Sequence, residues 1–285
     1  MFIYKAYRPC DIIRLADNYN NIGIYYTMKH YLRVLTVNLC HESPSKKASL
    51  TNKWIKHLTK VKGDVLFLQE VAAYNLEKLA TELGLKILNV NNAEGTCVLI
   101  NPYKLTIVDN NVVTLKTDDA PIYIGGLHLD DIPSVPHHMN NMVYKSSVIV
   151  PLSCSLDQVL KLCAKRRIPR VKEEMEKAKK YKRAIIAGDF NEPSHLDLNI
   201  KTPVSIEFEK NKFVDTYRDF RPPFSLNYDT GYTWPAGILY KTGPLQRIDI
   251  IYTKNLKTVD SCVYEGDGGA KWMTDHKMVI TDLEV

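Results

Sequence analysis

The sequence predicts a mixed α and β protein, and two observations predict it. Short apolar runs recur along the chain, several stopping at a carboxylate, amide or histidine. Between them lie stretches with apolar residues at helical spacing. The hydrophobic share, 45% of 285 residues, is enough for one large core or two modest ones.

Leu32-Arg33-Val34-Leu35-Thr36-Val37 reads as the first strand and stops at Asn38-Leu39-Cys40-His41. Residues 43–62 read as a loop entering a helix, with Leu50, Trp54, Ile55 and Leu58 on one face. Asp64-Val65-Leu66-Phe67-Leu68 is an apolar strand ending in Gln69-Glu70, and Leu76, Leu79, Ala80 and Leu83 mark a helix that Gly84 closes. Strands follow at 86–90, 97–100, 105–108 and 121–125, the last running into Leu127-His128-Leu129-Asp130-Asp131. Residues 131–155, with Pro133, Pro136 and His137-His138, read as a long irregular loop, both histidines at the surface. Residues 156–181 read as a helix interrupted at Pro169, followed by the buried strand Ala184-Ile185-Ile186-Ala187. A loop rich in proline, glycine and aromatics spans 221–244, and strands at 248–252 and 278–283 close the chain.

A net charge of +6 tolerates an anionic partner without demanding one. No apolar run approaches the roughly 20 residues of a membrane span. The N-terminus soon reaches Asp11 and Arg14, unlike a signal peptide, so an intracellular, cytoplasmic protein is expected. Residues 1–30 stand apart by composition as an N-terminal extension to a unit over 31–285, and their tyrosines either pack on the core or mediate dimerisation. The six cysteines are scattered without a Cys-x-x-Cys pair and read as reduced thiols. The basic run over 161–183, broken by Glu173, Glu174 and Glu176, is either a solvated helix face or a track for a nucleic-acid backbone.

Asn38, Glu70, His128, Asp189 and Asn191 all sit where an apolar strand stops, the place where an α/β fold can aim polar groups into one cleft. The segments Leu35-Thr36-Val37-Asn38, Leu68-Gln69-Glu70-Val71, Gly126-Leu127-His128-Leu129, Gly188-Asp189-Phe190-Asn191, Arg247-Ile248-Asp249-Ile250-Ile251-Tyr252 and Thr274-Asp275-His276 together resemble the endonuclease/exonuclease/phosphatase superfamily, in its order. Further stretches, among them Gly188 to Asp197, Phe213-Val214-Asp215-Thr216-Tyr217-Arg218 and Gly231-Tyr232-Thr233-Trp234-Pro235, look most like its branch of uncharacterised metal-dependent hydrolases. The inositol-polyphosphate phosphatases would place a different segment over 245–249, which argues against a phosphoinositide substrate.

The resemblance implies a four-layer α/β/β/α sandwich, two mostly antiparallel sheets flanked by helices. It implies a Mg²⁺-dependent phosphoesterase, nuclease-like, acting on a phosphodiester or a monoester, with Mn²⁺ able to substitute. Magnesium takes oxygen ligands and neutralises charge on phosphoryl oxygens, so one or two carboxylates with substrate suffice. Glu70 would be the leading metal ligand, with Asn38 and Asp275. His276 would contact the phosphate or take the water's proton, its ring oriented by Asp249, an acid otherwise costly among three isoleucines. Asp189 and Asn191 would position water and phosphate, and His128 would donate to a phosphoryl oxygen; whether Asp189 or His276 is the base is open. Asp130, Asp131, His195, Tyr232, Trp234 and Arg247 are candidates for substrate binding. For each a structural alternative stands beside the functional one: a loop cap for the aspartates, packing for the aromatics. The substrate is either nucleic acid or a small phosphorylated metabolite or phospholipid head group, and a non-catalytic binding module with this fold is the alternative of another class.

Overall fold

The computed structural model describes residues 30–40, 47–71, 73–143, 151–223, 230–236, 243–266 and 272–285. The expected N-terminal extension, His30 apart, lies outside them.

Alternation along the strands builds four layers. In β1 (Tyr31–Asn38), Leu32 and Val34 face one side while Leu35 and Val37 face the other. β2 (Val65–Gln69) and β4 (Thr96–Ile100) divide in the same way, as side chains alternate across a pleated strand. The first faces meet Ile122 and Ile124 of β7 (Asp118–His128), Ile185 and Ala187 of β8 (Arg183–Asp189) and Ile251 of β10 (Asp249–Lys254), forming the core between two sheets. The second faces are covered by Trp54 and Leu58 of α1 (Lys47–Val61) and by Leu76, Leu79 and Ala80 of α2 (Ala73–Leu83). On the far side, Tyr123, Ile186 and Tyr252 pack under Val171 and Met175 of α4 (Leu156–Ala178) and Phe208 of α6 (Pro203–Lys210). This is the expected four-layer sandwich.

Each sheet has six strands. With β3 (Lys86–Asn91), β11 (Lys257–Tyr264) and β12 (Met278–Glu284), the first runs β11-β12-β1-β2-β4-β3. With β5 (Leu105–Asp109), β6 (Val112–Leu115) and β9 (Val214–Asp215), the second runs β5-β6-β7-β8-β10-β9. All neighbours are antiparallel except the two central pairs, β1 with β2 and β7 with β8. A parallel pair needs a crossover, here supplied by α1 and by α3 (Val135–Met139) with α4. In register, Asn38 faces Gln69 and His128 faces Asp189, so the carboxyl ends of both pairs carry the polar residues. β10 runs antiparallel to β8 with Asp249 opposite Asp189, and β12 starts beside the end of β1. Strand ends and strand starts therefore bring six segments to one rim.

Several expectations need correction. α4 runs unbroken through Pro169, because Pro169 and Lys165, whose carbonyl it cannot bond, both lie on the exposed face of the helix. The loop expected over 131–155 contains α3, and His137 on it is buried, bonded to Ser134 Oγ at 2.8 Å. β6, β9, β11, α5 (His195–Leu198), α6 and α7 (Thr216–Phe220) were not anticipated. Cys40, Cys97, Cys154 and Cys163 are free thiols, but Cys262 is disulfide-bonded. Among the described residues no helix is long and apolar enough to cross a membrane.

Candidate active site

Two backbone features shape the rim. Gly188 immediately precedes Asp189, and a Cβ there would lie 1.8 Å from the Leu127 carbonyl oxygen, so only glycine lets β8 close on β7. Glu70 (φ +52°) and Asn191 (φ +51°) both adopt the left-handed conformation just past a strand end. Asparagine tolerates it; for glutamate it costs about 1–2 kcal/mol, held here by tertiary contacts. Val71 N–H donates to the Gly95 carbonyl at 3.3 Å, and Glu70 accepts from Asn38 Nδ2 at 2.9 Å.

Asn38 joins the two halves of the site. Its Nδ2 donates to Glu70 Oε1 and, at 3.1 Å, to Asp189 Oδ2, while its Oδ1 accepts from Cys40 N–H. The amide thus turns its donor toward the two carboxylates and ties them together. Asp189 Oδ1 accepts from Asn191 N–H at 2.9 Å, and Asn191 Nδ2 donates to the Leu129 carbonyl at 2.9 Å.

Deeper in, Asp249 and His276 form a buried pair, with Nδ1 2.9 Å from Asp249 Oδ2 and Nε2 3.7 Å from Asp189 Oδ2. Burial disfavours the imidazolium, but Asp249 and Asp189 outweigh it and raise its pKa to about 10, so the ring is charged at neutral pH. Burial pushes the Asp189 carboxyl up; His276 opposes this and Asp249 adds to it. Thr233 Oγ1 accepts from both Ile248 N–H and Asp249 N–H, fixing the start of β10. Thr274 Oγ1 donates to the Asn38 carbonyl and accepts from His276 N–H, tying the His276 segment to β1.

His128 stands at the outer edge. Its Nδ1 lies 3.1 Å from the Glu94 carbonyl, an oxygen that can only accept, so Nδ1 carries the hydrogen. Nε2 is turned to Glu70 Oε1 and Asp189 Oδ2, each at 3.8 Å.

Of the other expected residues, Asp275 accepts from Trp234 Nε1 at 3.0 Å, beside the cluster. The Trp234 ring is a packing surface against His137, and Tyr232 lies under the Lys277 ammonium. Arg247 is held in ion pairs. It is buried, bidentate to Asp215 and paired with Asp197, which also holds Arg218. Asp130 pairs with Arg166 at the surface. Asp131 is half-buried in the loop after β7. His195 bonds Ser205 Oγ and lines a separate cavity of about 280 Å³ with Phe213 and Tyr252. Glu94 was missed altogether, and the partners of Thr233 and of the α4 arginines were not anticipated, because nothing in their local sequence signals a partner so distant in the chain.

The ligand-capable atoms of Asp189, Asp249 and His276 lie within 4.8 Å of one another. Two buried carboxylates share one imidazolium, and Asp249 Oδ1 is buried without a hydrogen-bond partner among the described residues. With Glu70 and Asp275 beside it, the cluster is anionic and oxygen-rich, and these two outer carboxylates are donors that suit a hard divalent cation.

A cluster built from the end of β8, the start of β10 and the segment before β12 is the kind of site a phosphoester hydrolase uses. The chain belongs to the endonuclease/exonuclease/phosphatase family, whose model matches residues 35–276. An uncharacterized Caenorhabditis elegans protein, F14F9.5, is 27% identical over 257 residues, 80% of each chain. A functionally unknown conserved protein from Enterococcus faecalis superposes with a TM-score of 0.60 at 15% identity, covering 88% of this chain and 99% of that one. D. rerio TDP2, solved with a single strand DNA product, superposes at 0.59 and 14% identity, covering 90% and 99%. At such identities the solved structures speak for the fold.

Proposed function

We propose that the chain hydrolyses phosphodiesters by in-line attack of water in a divalent-cation site, through a catalytic domain over residues 31–285. The observation that carries this reading is the convergence of Glu70, Asn38, Asp189, Asp249 and His276 on one hydrogen-bonded rim. Bound Mg²⁺, with Mn²⁺ as substitute, would be held by Glu70 and Asp275 and would neutralise charge on the phosphoryl oxygens.

Asp189 is the base. Asn38 Nδ2 and Asn191 N–H hold its two oxygens, and its raised pKa suits it to accept a proton. The water oxygen bonds to phosphorus as the ester bond to the leaving oxygen breaks; the water's proton goes to Asp189, and the leaving oxygen takes one from solvent. His276, already protonated through Asp249, donates from Nε2 to a phosphoryl oxygen, while His128, with its hydrogen on Nδ1, turns the bare Nε2 to accept from the attacking water at the rim.

The DNA product bound by the similar TDP2 fold supports single-stranded nucleic acid as the first substrate to try. One observation favours a compact phosphoester instead. Arg166, Arg167 and Arg170 of the basic run are bonded to Asp130, Glu192, Glu94 and Glu174, so they form no free backbone track.

The test is hydrolysis of bis-p-nitrophenyl phosphate, p-nitrophenyl phosphate and a single-stranded oligonucleotide, with Mg²⁺ and with excess EDTA. Mg²⁺-dependent cleavage of the diester and the oligonucleotide is expected. Cleavage of the small esters alone would shift the assignment to a compact substrate, and no turnover with Mg²⁺ or Mn²⁺ would overturn the reading.

A further inference from the structure

The carbonyl that holds His128 does not belong to its own sheet. Glu94 lies in the turn between β3 and β4, at the edge of the first sheet, whereas His128 ends a central strand of the second. Within the turn, Asn91 Oδ1 accepts from Ala93 N–H and Glu94 N–H, which shapes the backbone but leaves the Glu94 side chain to be held from elsewhere.

Its anchor is α4. Arg170 reaches across to the Glu94 carboxylate with both Nε and Nη2. From the same guanidinium, Nη1 donates to Glu174 Oε2 at 2.8 Å, and Glu174 Oε1 accepts from the hydroxyl of Tyr123 at 2.5 Å. Tyr123 lies on β7, the strand that ends in His128. Gly125, also on β7, makes the room: a Cβ there would lie 2.5 Å from Glu174 Oε1. The Tyr123–Glu174–Arg170–Glu94 chain therefore connects the strand bearing His128 to the turn that accepts from its ring. The same turn touches the other rim residue, since the Gly95 carbonyl accepts from Val71 N–H, next to Glu70.

We propose that Arg170 and Glu94 are positioning residues, an ion pair across the two sheets that fixes the Glu94 carbonyl against His128 Nδ1 and so keeps Nε2 turned to Glu70 and Asp189. The inference rests on the proposed hydrolysis for its kinetic consequence, but not for its structural one. A bidentate arginine–carboxylate pair restricts orientation as well as distance, which a lysine reproduces only in part. With the pair broken, the turn relaxes, the ring loses its acceptor, and Nδ1–H and Nε2–H tautomers both become populated.

The experiment compares wild type with Arg170→Met, Arg170→Lys and Glu94→Gln. It reads kcat and KM on bis-p-nitrophenyl phosphate with Mg²⁺, and the His128 ring ¹⁵N shifts by long-range proton–nitrogen correlation. Arg170→Met and Glu94→Gln are expected to lower kcat about 10-fold with KM little changed, as misplacement of a catalytic group does. Both should move the His128 ring from the Nδ1–H form to a mixture, and Arg170→Lys should recover part of each effect. Unchanged kcat with His128 still wholly Nδ1–H in folded Arg170→Met or Glu94→Gln would overturn the proposal. Wild type inactive on every phosphoester would sink the proposed function alone; the nitrogen shifts would still decide the ion pair's role.

Discussion

Glu70 and His276 share one rim but sit in different surroundings, and their variants should separate chemistry from stability. Glu70 is partly exposed at 37% of its side chain, so Glu70→Gln keeps the shape and removes only the charge. Activity is expected to fall by about 100-fold or more while Tm moves little. His276 is buried against Asp249, and His276→Ala leaves that carboxylate without its partner. That variant should lose activity and also about 3 kcal/mol of stability, read by urea titration. Near-normal turnover in both would remove the site. His137 acts in the opposite sense, through pH. Burial holds its pKa below the ordinary 6.5, so the unfolded chain takes up the proton first as the solution is acidified. The stability it contributes is present above pH 6.5 and lost as pH falls through the lower, folded value. Urea midpoints should therefore drop below pH 6.5, and His137→Gln should flatten that drop; an identical slope in the variant would show that other groups carry it.

At the scale of elements, the close approach of β7 and β8 hangs on Gly188. Gly188→Ala would drive a methyl into the Leu127 carbonyl, forcing apart the pair that aligns His128 with Asp189. A loss of roughly 3 kcal/mol is expected, seen as a lower Tm, with activity falling alongside. Unchanged Tm would mean that the pair can part without cost. The elements differ in how plainly they are written in the chain. β2 is buried at every position and β1 nearly so, and both read directly as apolar runs. The first half of β11 alternates exposed and half-buried residues at a sheet edge, Lys257 and Asp260 among them, so neither period nor composition marked it. α6 carried local signals, Pro203 at its first turn after Thr202, but eight residues are too few for a helical period to stand out. Pro169 misled, because whether a proline breaks a helix depends on which face it occupies.

The whole molecule gathers more negative charge at the rim than its histidines balance, so cation binding should stabilise the fold. Mg²⁺ at about 100 times its Kd should add about 2.7 kcal/mol, visible as a rise in Tm that EDTA reverses. Glu70→Gln should lose most of that rise; a full shift in the variant would place the cation elsewhere. At this scale too the basic run takes on its meaning. Lys161, Lys177 and Lys179 of α4 pair with acids on their own helix, while Arg166, Arg167 and Arg170 reach the loops after β7, β8 and β3. The helix is a strut for the rim before it is a surface.

The chain alone determined that apolar strands end in polar residues. Asn38, Glu70, His128 and Asp189 follow buried runs, and hydrophobic period and strand-end polarity are properties of neighbours in sequence. The motif order then identified the family, and with it the four layers. Only the tertiary structure decided which polar residues meet. Arg247 precedes Asp249 by two positions, yet its side chain belongs to the buried pair with Asp215 and Asp197. Glu94, far from any motif, supplies the carbonyl that orients His128. The reason is physical. Burial is set by local pattern, but a hydrogen bond or ion pair is set by which strands lie side by side and in what register, and that is decided across the whole sheet.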